Sequence, residues 1–144
     1  MPKGANQVEM VSSVRGRHRF LAAGAGVVLS TMLVAAAMVS PDQRGFGTHE
    51  QFGLPPCASR WLWDGRCPAC GMTTAWAWSV RGRFVSGWNA NGGGVVLFAG
   101  AVVGVLVCGW MAAGRAVPGW LGWAAVAWVW VGFVSAVATT SWRT

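Results

Sequence analysis

The sequence predicts an all-α protein that crosses a membrane, and its composition and segmentation are the grounds for this prediction. Of the 144 residues, 54% are hydrophobic and only 10% are charged, whereas an ordinary soluble domain has about 25% charged residues. A soluble chain of this length forms too small a core to hide so much apolar surface. The apolar residues also lie in long uncharged blocks, so lipid is the expected solvent.

Three of the apolar blocks are long enough to cross a bilayer as α-helices, and they comprise residues 20–39, 95–113 and 120–138. A helix of about 20 residues rises about 30 Å, which is the thickness of the hydrocarbon core. Trp120 and Trp123 begin the third block and Trp142 follows it, a placement typical of the membrane interface. We therefore predict three transmembrane helices within a single membrane domain, residues 20–144.

Residues 1–19 are polar and basic, with five positively charged or histidine side chains against a single acid, Glu9. We predict that they form a disordered leader whose positive charge keeps the amino terminus in the cytoplasm. The protein would then be a multi-pass protein of the cell membrane. A cleavable signal peptide is the alternative, because small residues occur at Ala35, Ala36 and Ala37. The apolar run is longer than the roughly 7–15 residues of a signal core, which favours an uncleaved anchor.

The charge distribution indicates a lipid partner. The formal net charge is +7, but the basic residues flank the apolar blocks, where they set orientation and contact anionic headgroups. No nucleic-acid recognition motif is present, so we expect no nucleic-acid partner. All four acids lie outside the apolar blocks: Glu9, Asp42, Glu50 and Asp64. This argues against a proton relay or an ion-coupled transporter, which would need an acid within the membrane.

The chemically capable side chains concentrate in a motif region, residues 49–92, around Cys67-Pro68-Ala69-Cys70-Gly71-Met72-Thr73-Thr74. Pro68 indicates the first turn of a helix. Two short helical pieces, 70–80 and 84–91, would flank a basic turn and form a re-entrant or interfacial segment. Their length favours three crossings. Leaving Arg81 and Arg83 outside runs against the positive-inside rule, so a fourth crossing stays an alternative.

Two cysteines spaced as CxxC suit three roles. Cys57 could bridge to Cys67 or Cys70 and staple the outer loop to the helix start, which an oxidising bacterial compartment would favour. A zinc site could use four ligands: Cys57, Cys67, Cys70 and His49. In a redox pair, Cys67 would attack and Cys70 would resolve, because a helix amino terminus favours the thiolate. We also expect Thr73 and Thr74 to bond to their own helix start, and Asn91 to cap a turn.

The run Cys67-Pro68-Ala69-Cys70-Gly71-Met72-Thr73 resembles the domain of unknown function 2752 family of small prokaryotic membrane proteins. Members are similar in a Cys-Pro-x-Cys-Gly-x-Thr run followed by a short apolar helix, a Gly and an Asn-Pro pair. Gly82 and Asn91 match the later positions, and Gly53 to Cys57 resembles a subset of the family. The resemblance covers residues 49–98. The chain departs from the family at Thr74, where members often have Arg, and at Gly92, where they have Pro.

The family resemblance implies an integral membrane protein and no established activity. We therefore predict a non-enzymatic membrane component with a cysteine-stabilised motif at the membrane surface. Pro68, Gly71, Thr73, Gly82 and Asn91 would have structural roles in it. Apart from the lipid bilayer, a second copy or another membrane protein is the expected partner. The alternatives are a thiol-disulfide redox protein and a zinc-binding membrane module; no other cofactor is predicted.

Overall fold

The computed structural model describes residues 3–56, 67 and 69–141. Within this part of the chain every regular element is helical, which confirms the all-α class. The described residues form five α-helices: α1 (Lys3–Met38), α2 (Met72–Ser79), α3 (Phe84–Ala90), α4 (Gly92–Ala112) and α5 (Trp120–Ser141). A short 3-10 helix, Thr48–Phe52, lies in the loop between α1 and α2.

Three helical segments are long and apolar enough to cross a membrane, and they comprise Gly16–Met38, Gly92–Ala112 and Trp120–Thr139. Helices α2 and α3 contain 8 and 7 residues. Each therefore rises only about 10–12 Å, far less than the hydrocarbon core. This confirms the predicted architecture of three spanning helices and a short helical segment that carries the motif.

The amino-terminal segment differs from the prediction. Helix α1 begins at Lys3, so residues 3–19 are helical where a disordered leader was expected. No proline lies between Lys3 and Ser40, and the basic segment runs directly into the apolar span. Extending an existing helix avoids the cost of nucleation, which is the unfavourable step in helix formation.

Helix α4 lies between α1 and α5 and is antiparallel to both. The Nε atom of Arg19, near the start of the apolar part of α1, donates to the carbonyl of Ala112 at the end of α4, at 3.1 Å. At its other end α4 meets the last turns of α5, where Gly92 faces Thr139. The motif end of the molecule is thus formed by the last residues of α1 and α5 and the first residues of α4.

Helices α2 and α3 pack against each other and against the first turns of α4 at the motif end. Trp76 of α2 meets Phe98 of α4 edge to face, with ring centroids 6.0 Å apart. This geometry is the favoured one for aromatic pairs. The short helices are therefore fixed to the beginning of a spanning helix, and this contact positions the motif.

The glycine triplet Gly92-Gly93-Gly94 forms the first turn of α4, whereas the predicted span begins only at residue 95. All three glycines are buried. A Cβ atom on Gly93 would overlap the Gly132 carbonyl and Ala136 of α5, and one on Gly94 would lie 2.8 Å from the Cβ atom of Ala75. The triplet therefore lets α2 and α5 approach α4 closely, and these contacts outweigh the poor helix propensity of glycine.

The GxxxG pair within α4 contacts two different neighbours. Gly100 lies against Trp128 of α5, whose indole nitrogen donates to the carbonyl of Val96 at 2.8 Å. Gly104 faces Leu29 of α1. Gly100 therefore faces α5 and Gly104 faces α1, so the GxxxG spacing does not mark a single helix interface.

Candidate functional site at the CPxCG turn

The motif folds as a tight turn that leads into α2. The amide of Cys70 donates to the carbonyl of Cys67 at 2.9 Å, and the amide of Met72 donates to that of Ala69 at 3.1 Å. Gly71 is the N-cap residue and has a φ of 83°, a conformation that only glycine adopts without strain. A Cβ atom at this position would overlap the Gly45 carbonyl and lie 2.8 Å from that of Ala90. Gly71 therefore allows the loop after α1 and the end of α3 to meet at the turn.

Asn91 joins this turn to the spanning helix α4. Its side chain is 1% exposed. The Nδ2 atom donates to the carbonyl of Cys70 at 3.0 Å, and the Oδ1 atom accepts from the amide of Gly94 at 2.9 Å. The second bond is an N-cap interaction, which satisfies an amide that has no partner within the helix. Asn91 therefore caps a helix, where the sequence suggested a turn, and also holds the motif against it.

Thr74 contacts the loop between α1 and α2 through a buried pair of hydroxyl groups. Its Oγ1 atom lies 2.8 Å from that of Thr48, and both residues are fully buried. Thr48 Oγ1 also accepts from the amide of Asp42 at 3.0 Å. The expected bond from Thr74 to its own helix start is therefore replaced by a long-range contact. Thr48 was missed because a lone threonine in a loop carries no signal of its partner.

A small cavity of about 120 Å³ lies between the motif and the 3-10 helix. Its chemically capable lining residues are His49, Glu50, Cys67, Cys70, Thr73 and Thr74. Cys70 is buried and Cys67 is half-buried. The structure therefore brings His49 to the same cavity as both motif cysteines, as the zinc hypothesis requires.

The metal hypothesis remains a prediction. Cys57 and Pro68 lie outside the described residues. Among the residues that the structure does describe, no three histidine, cysteine or acidic side chains are grouped so that they could hold a metal ion. His49, Cys67 and Cys70 alone therefore do not form a ligand set, and a zinc site would depend on Cys57.

Charges beside the cavity are organised around Arg44. Its Nη2 atom lies 2.7 Å from Asp42 and 3.8 Å from Glu50. Hydrogen bonds from the Arg44 side chain and amide hold the pKa of Asp42 below its ordinary value of 3.8. The same side-chain bond raises the pKa of Arg44. The loop after α1 is therefore closed by an ion pair at the rim of the cavity.

Arg81 has a role that its sequence position did not reveal. Its Nη2 atom donates to the carbonyls of Ala37 at 3.0 Å and Val39 at 2.8 Å, while Nη1 donates to that of Ala77 at 2.7 Å. The last carbonyls of a helix lack internal partners and carry partial negative charge, so a guanidinium stabilises them. Arg81 therefore ties the end of α2 to the end of α1. The next residue, Gly82, makes the turn into α3 with a φ of 73°.

The comparisons with known proteins agree with the predicted family. No curated protein and no solved structure matches the chain significantly. The model of a family described as "Protein of unknown function (DUF2752)" matches residues 57–105. The matched segment contains the CPxCG turn, α2, α3 and the first part of α4, which are the elements that the contacts above hold together. Over this segment the chain is similar to the DUF2752 family, as its motif predicted.

Proposed function

We propose that this chain is a non-enzymatic component of the cell membrane, in which the CPxCG turn is a structural joint at the membrane surface. The observation that carries this proposal is the buried side chain of Asn91, which bonds both to Cys70 of the motif and to the first turn of α4. A buried amide whose two ends are both bonded fixes two backbone segments relative to each other. The joint would present the outer loop in one position above the spanning helices.

The other polar groups of the motif support the structural role. The hydroxyl group of Thr74 is bonded to Thr48 in the interior, and Gly71 is packed against two backbone carbonyls. Groups that are used in this way hold the fold together and are not directed at a substrate. The motif is therefore more typical of a packed structural turn than of an active site.

The long helices expose large apolar side chains, as lipid contact requires. On α5, Trp123 and Trp130 are 79% and 63% exposed, and of the described helices only α4 packs against α5. We infer that lipid covers most of this surface, and that a second copy or another membrane protein packs on part of it.

An amino terminus in the cytoplasm fits the use of the arginines at the motif end. Arg44 pairs with Asp42, Arg81 bonds to the last carbonyls of α1, and Arg83 stacks on Trp78. These contacts lower the cost of placing positive charge on the outer side. The opposite end carries Arg17, His18, Arg19 and Arg115, which the positive-inside rule places in the cytoplasm.

Substitution of Asn91 tests the structural proposal. We expect Asn91→Ala to reduce the amount of protein in the membrane and to lower the melting temperature in detergent. The change removes the hydrogen bonds that Asn91 makes to two buried backbone groups, and losing such a bond costs about 1–3 kcal/mol. Asn89→Ala is the matched control, because Asn89 is exposed on α3. If the two variants have the same abundance and melting temperature, Asn91 is not the joint that we propose.

A thiol-disulfide redox role is the second candidate, and the cavity that contains His49, Cys67 and Cys70 favours it. In this role the thiols of Cys67 and Cys70 would form a disulfide and pass two electrons and two protons to an external disulfide, which would be reduced to two thiols. Titration with glutathione buffers would then give a reversible Cys67–Cys70 bond with a defined potential. Thiols that stay reduced or stay bridged throughout the titration would exclude it. Elemental analysis tests the zinc alternative, which requires about one metal ion per chain.

A further inference from the structure

A second cavity, which is lined in part by the loop after α1, has the properties of an anion site. It is an open cleft of about 410 Å³ at the motif end. Three segments converge on it: Gln43 to Gly45 of the loop after α1, Trp78 of α2, and the Arg83–Ala90 region of α3. The side chains that could bind a ligand are Gln43, Arg44, Arg83, Ser86 and Asn89. Among the described lining residues, two carry guanidinium groups and none is acidic.

Arg83 is held in a position that suits an oxyanion. Its guanidinium lies over the ring of Trp78, with Cζ 4.5 Å from the ring centroid. Stacking covers one face of a guanidinium and leaves its N–H donors pointing outward in the plane. Within the described part of the chain, no carboxylate lies within ion-pair distance of Arg83. Among the described residues, its guanidinium therefore faces the cleft without an acidic partner.

Arg44 supplies a second positive charge, although acids partly neutralise it. Its contacts with Asp42 use Nε and Nη2, and Glu50 lies 3.8 Å from the same Nη2 atom. Arg44 is 59% exposed at the side chain. The ion pair fixes the orientation of the guanidinium and leaves Nη1 as the donor for an oxyanion.

The floor of the cleft is rigid because it is part of the motif corner. Gly45 and Ala90 line the cleft, and their carbonyls are the groups that a Cβ atom at Gly71 would strike. On the wall, Ser86 and Asn89 are three residues apart on α3 and so lie on the same face of that helix. Neutral donors and two cations thus surround a space whose shape the CPxCG turn maintains.

The surroundings of the cleft place it at the level of lipid headgroups. Helix α3 exposes Phe84, Val85 and Trp88 at 52%, 78% and 46%, beside the polar side chains that face the cleft. An amphipathic segment of this kind lies in the interfacial region, where lipid phosphates are found. The geometry points to a binding site for a phosphate group in this cleft, with Arg83 as its principal ligand.

The test uses the full-length protein in a neutral detergent and two probes. One series of titrations adds phosphatidylglycerol to the micelles, and the other adds inorganic phosphate; chloride at the same ionic strength controls for screening. The melting temperature of the protein is the readout, because a ligand that binds the native state raises it in a saturable way. Saturation with phosphatidylglycerol alone identifies a lipid headgroup, and saturation with inorganic phosphate identifies a soluble phosphate compound.

Arg115→Gln is the matched control for Arg83→Gln. Arg115 also stacks on a tryptophan, with Cζ 4.2 Å from the ring centroid of Trp110, but it lies at the opposite end of the molecule. We expect Arg83→Gln to weaken the binding of the probe about tenfold, because glutamine lacks the positive charge and the charge-assisted hydrogen bonds of arginine. Arg115→Gln should leave the affinity unchanged. Asn89→Asp, a substitution of equal size, should also weaken binding, because it adds a negative charge to the cleft.

Two results would overturn the proposal. The first is that neither probe gives a saturable rise in melting temperature beyond that of chloride. The second is that Arg83→Gln and Arg115→Gln reduce the affinity equally, which would show general attraction of anions to a basic protein. If Arg83→Gln does not fold, Asn89→Asp decides the question, and unchanged binding by that variant would contradict the assignment.

Discussion

At the scale of single residues, glycines with positive φ differ in what surrounds them. Gly71 and Gly53 have φ values of 83° and 76°, so a side chain at either position would strain the backbone. Only Gly71 is also enclosed by carbonyls, whereas nothing lies within 4 Å of a Cβ atom at Gly53. Substitutions at Gly71 and Gly53 therefore distinguish the free-energy cost of the left-handed conformation from the added cost of a close contact.

We predict that Gly71→Ala destabilises the protein more than Gly53→Ala does. The left-handed conformation costs alanine about 1–2 kcal/mol at both positions, and overpacking adds about 1–3 kcal/mol at Gly71 alone. Melting temperatures in the same detergent measure the difference. Equal losses for the two variants would mean that the turn does not depend on the approach of Gly45 and Ala90.

The ion pair of Asp42 predicts a dependence of stability on pH. Because hydrogen bonds from Arg44 lower the pKa of Asp42 in the folded protein, the pair stabilises the fold above pH 3.8, the ordinary pKa of this side chain. This contribution is lost as the pH falls through the lowered pKa. We expect Asp42→Asn to melt slightly below wild type at neutral pH and to match it in strong acid.

The Asp42→Asn substitution keeps the backbone contact of residue 42, because the amide of Asp42 donates to Thr48. Arg44→Gln should therefore reproduce the pH profile of Asp42→Asn. A difference between wild type and Asp42→Asn that is constant with pH would contradict the role of the ion pair. The effect should be small, since exposed ion pairs contribute little.

At the scale of elements, the start of α4 determines how closely the helices pack. Gly93 faces Gly132 and Ala136 of α5, whereas Gly109, in the same helix, has nothing within 4 Å of an added Cβ atom. The two glycines share a helical conformation and differ in their neighbours. A substitution at each therefore tests packing with propensity held constant.

We predict that Gly93→Ala separates α4 from α5 and lowers stability by about 1–3 kcal/mol. Gly109→Ala should be neutral or slightly stabilising, because alanine favours the helix by about 1 kcal/mol. Unfolding by a denaturing detergent, followed by tryptophan fluorescence, measures both variants. A neutral Gly93→Ala variant would mean that α5 does not pack on α4 at this position.

At the scale of the whole molecule, the contacts favour three crossings. Arg81, in the turn between α2 and α3, bonds to the last carbonyls of α1, and Asn91, at the start of α4, bonds to Cys70, just before α2. The turn of the α2–α3 pair and its two ends are therefore all held at the motif end. A fourth crossing would separate these groups by the thickness of the membrane.

Epitope insertions after Gly53, Gly82 and Gly114 test this topology. All three positions lie in turns with positive φ, where insertions are best tolerated. We predict that the first two epitopes are accessible from the outer side of the membrane and the third only from the cytoplasm. Four crossings would place the epitope at Gly82 opposite to that at Gly53.

The candidate site was only partly predictable. The sequence singled out His49, Cys67 and Cys70, and the structure places all three at one cavity. It did not indicate Thr48, which lies 26 residues from its partner Thr74, or the bonds of Arg81 to α1. A hydroxyl or guanidinium group carries no local sign of the backbone it will meet, because such a partner depends on how distant helices pack.

The number of spanning helices and the all-α class follow from the sequence itself, because lipid selects for length and apolarity, and both are local properties of a segment. Tertiary packing alone decided that Gly92 to Gly94 begin a helix and that Asn91 connects the motif to it. In an isolated segment those glycines would favour a break. In the folded protein the same glycines are favoured because they let neighbouring helices approach closely. The local sequence does not indicate which helices will be neighbours.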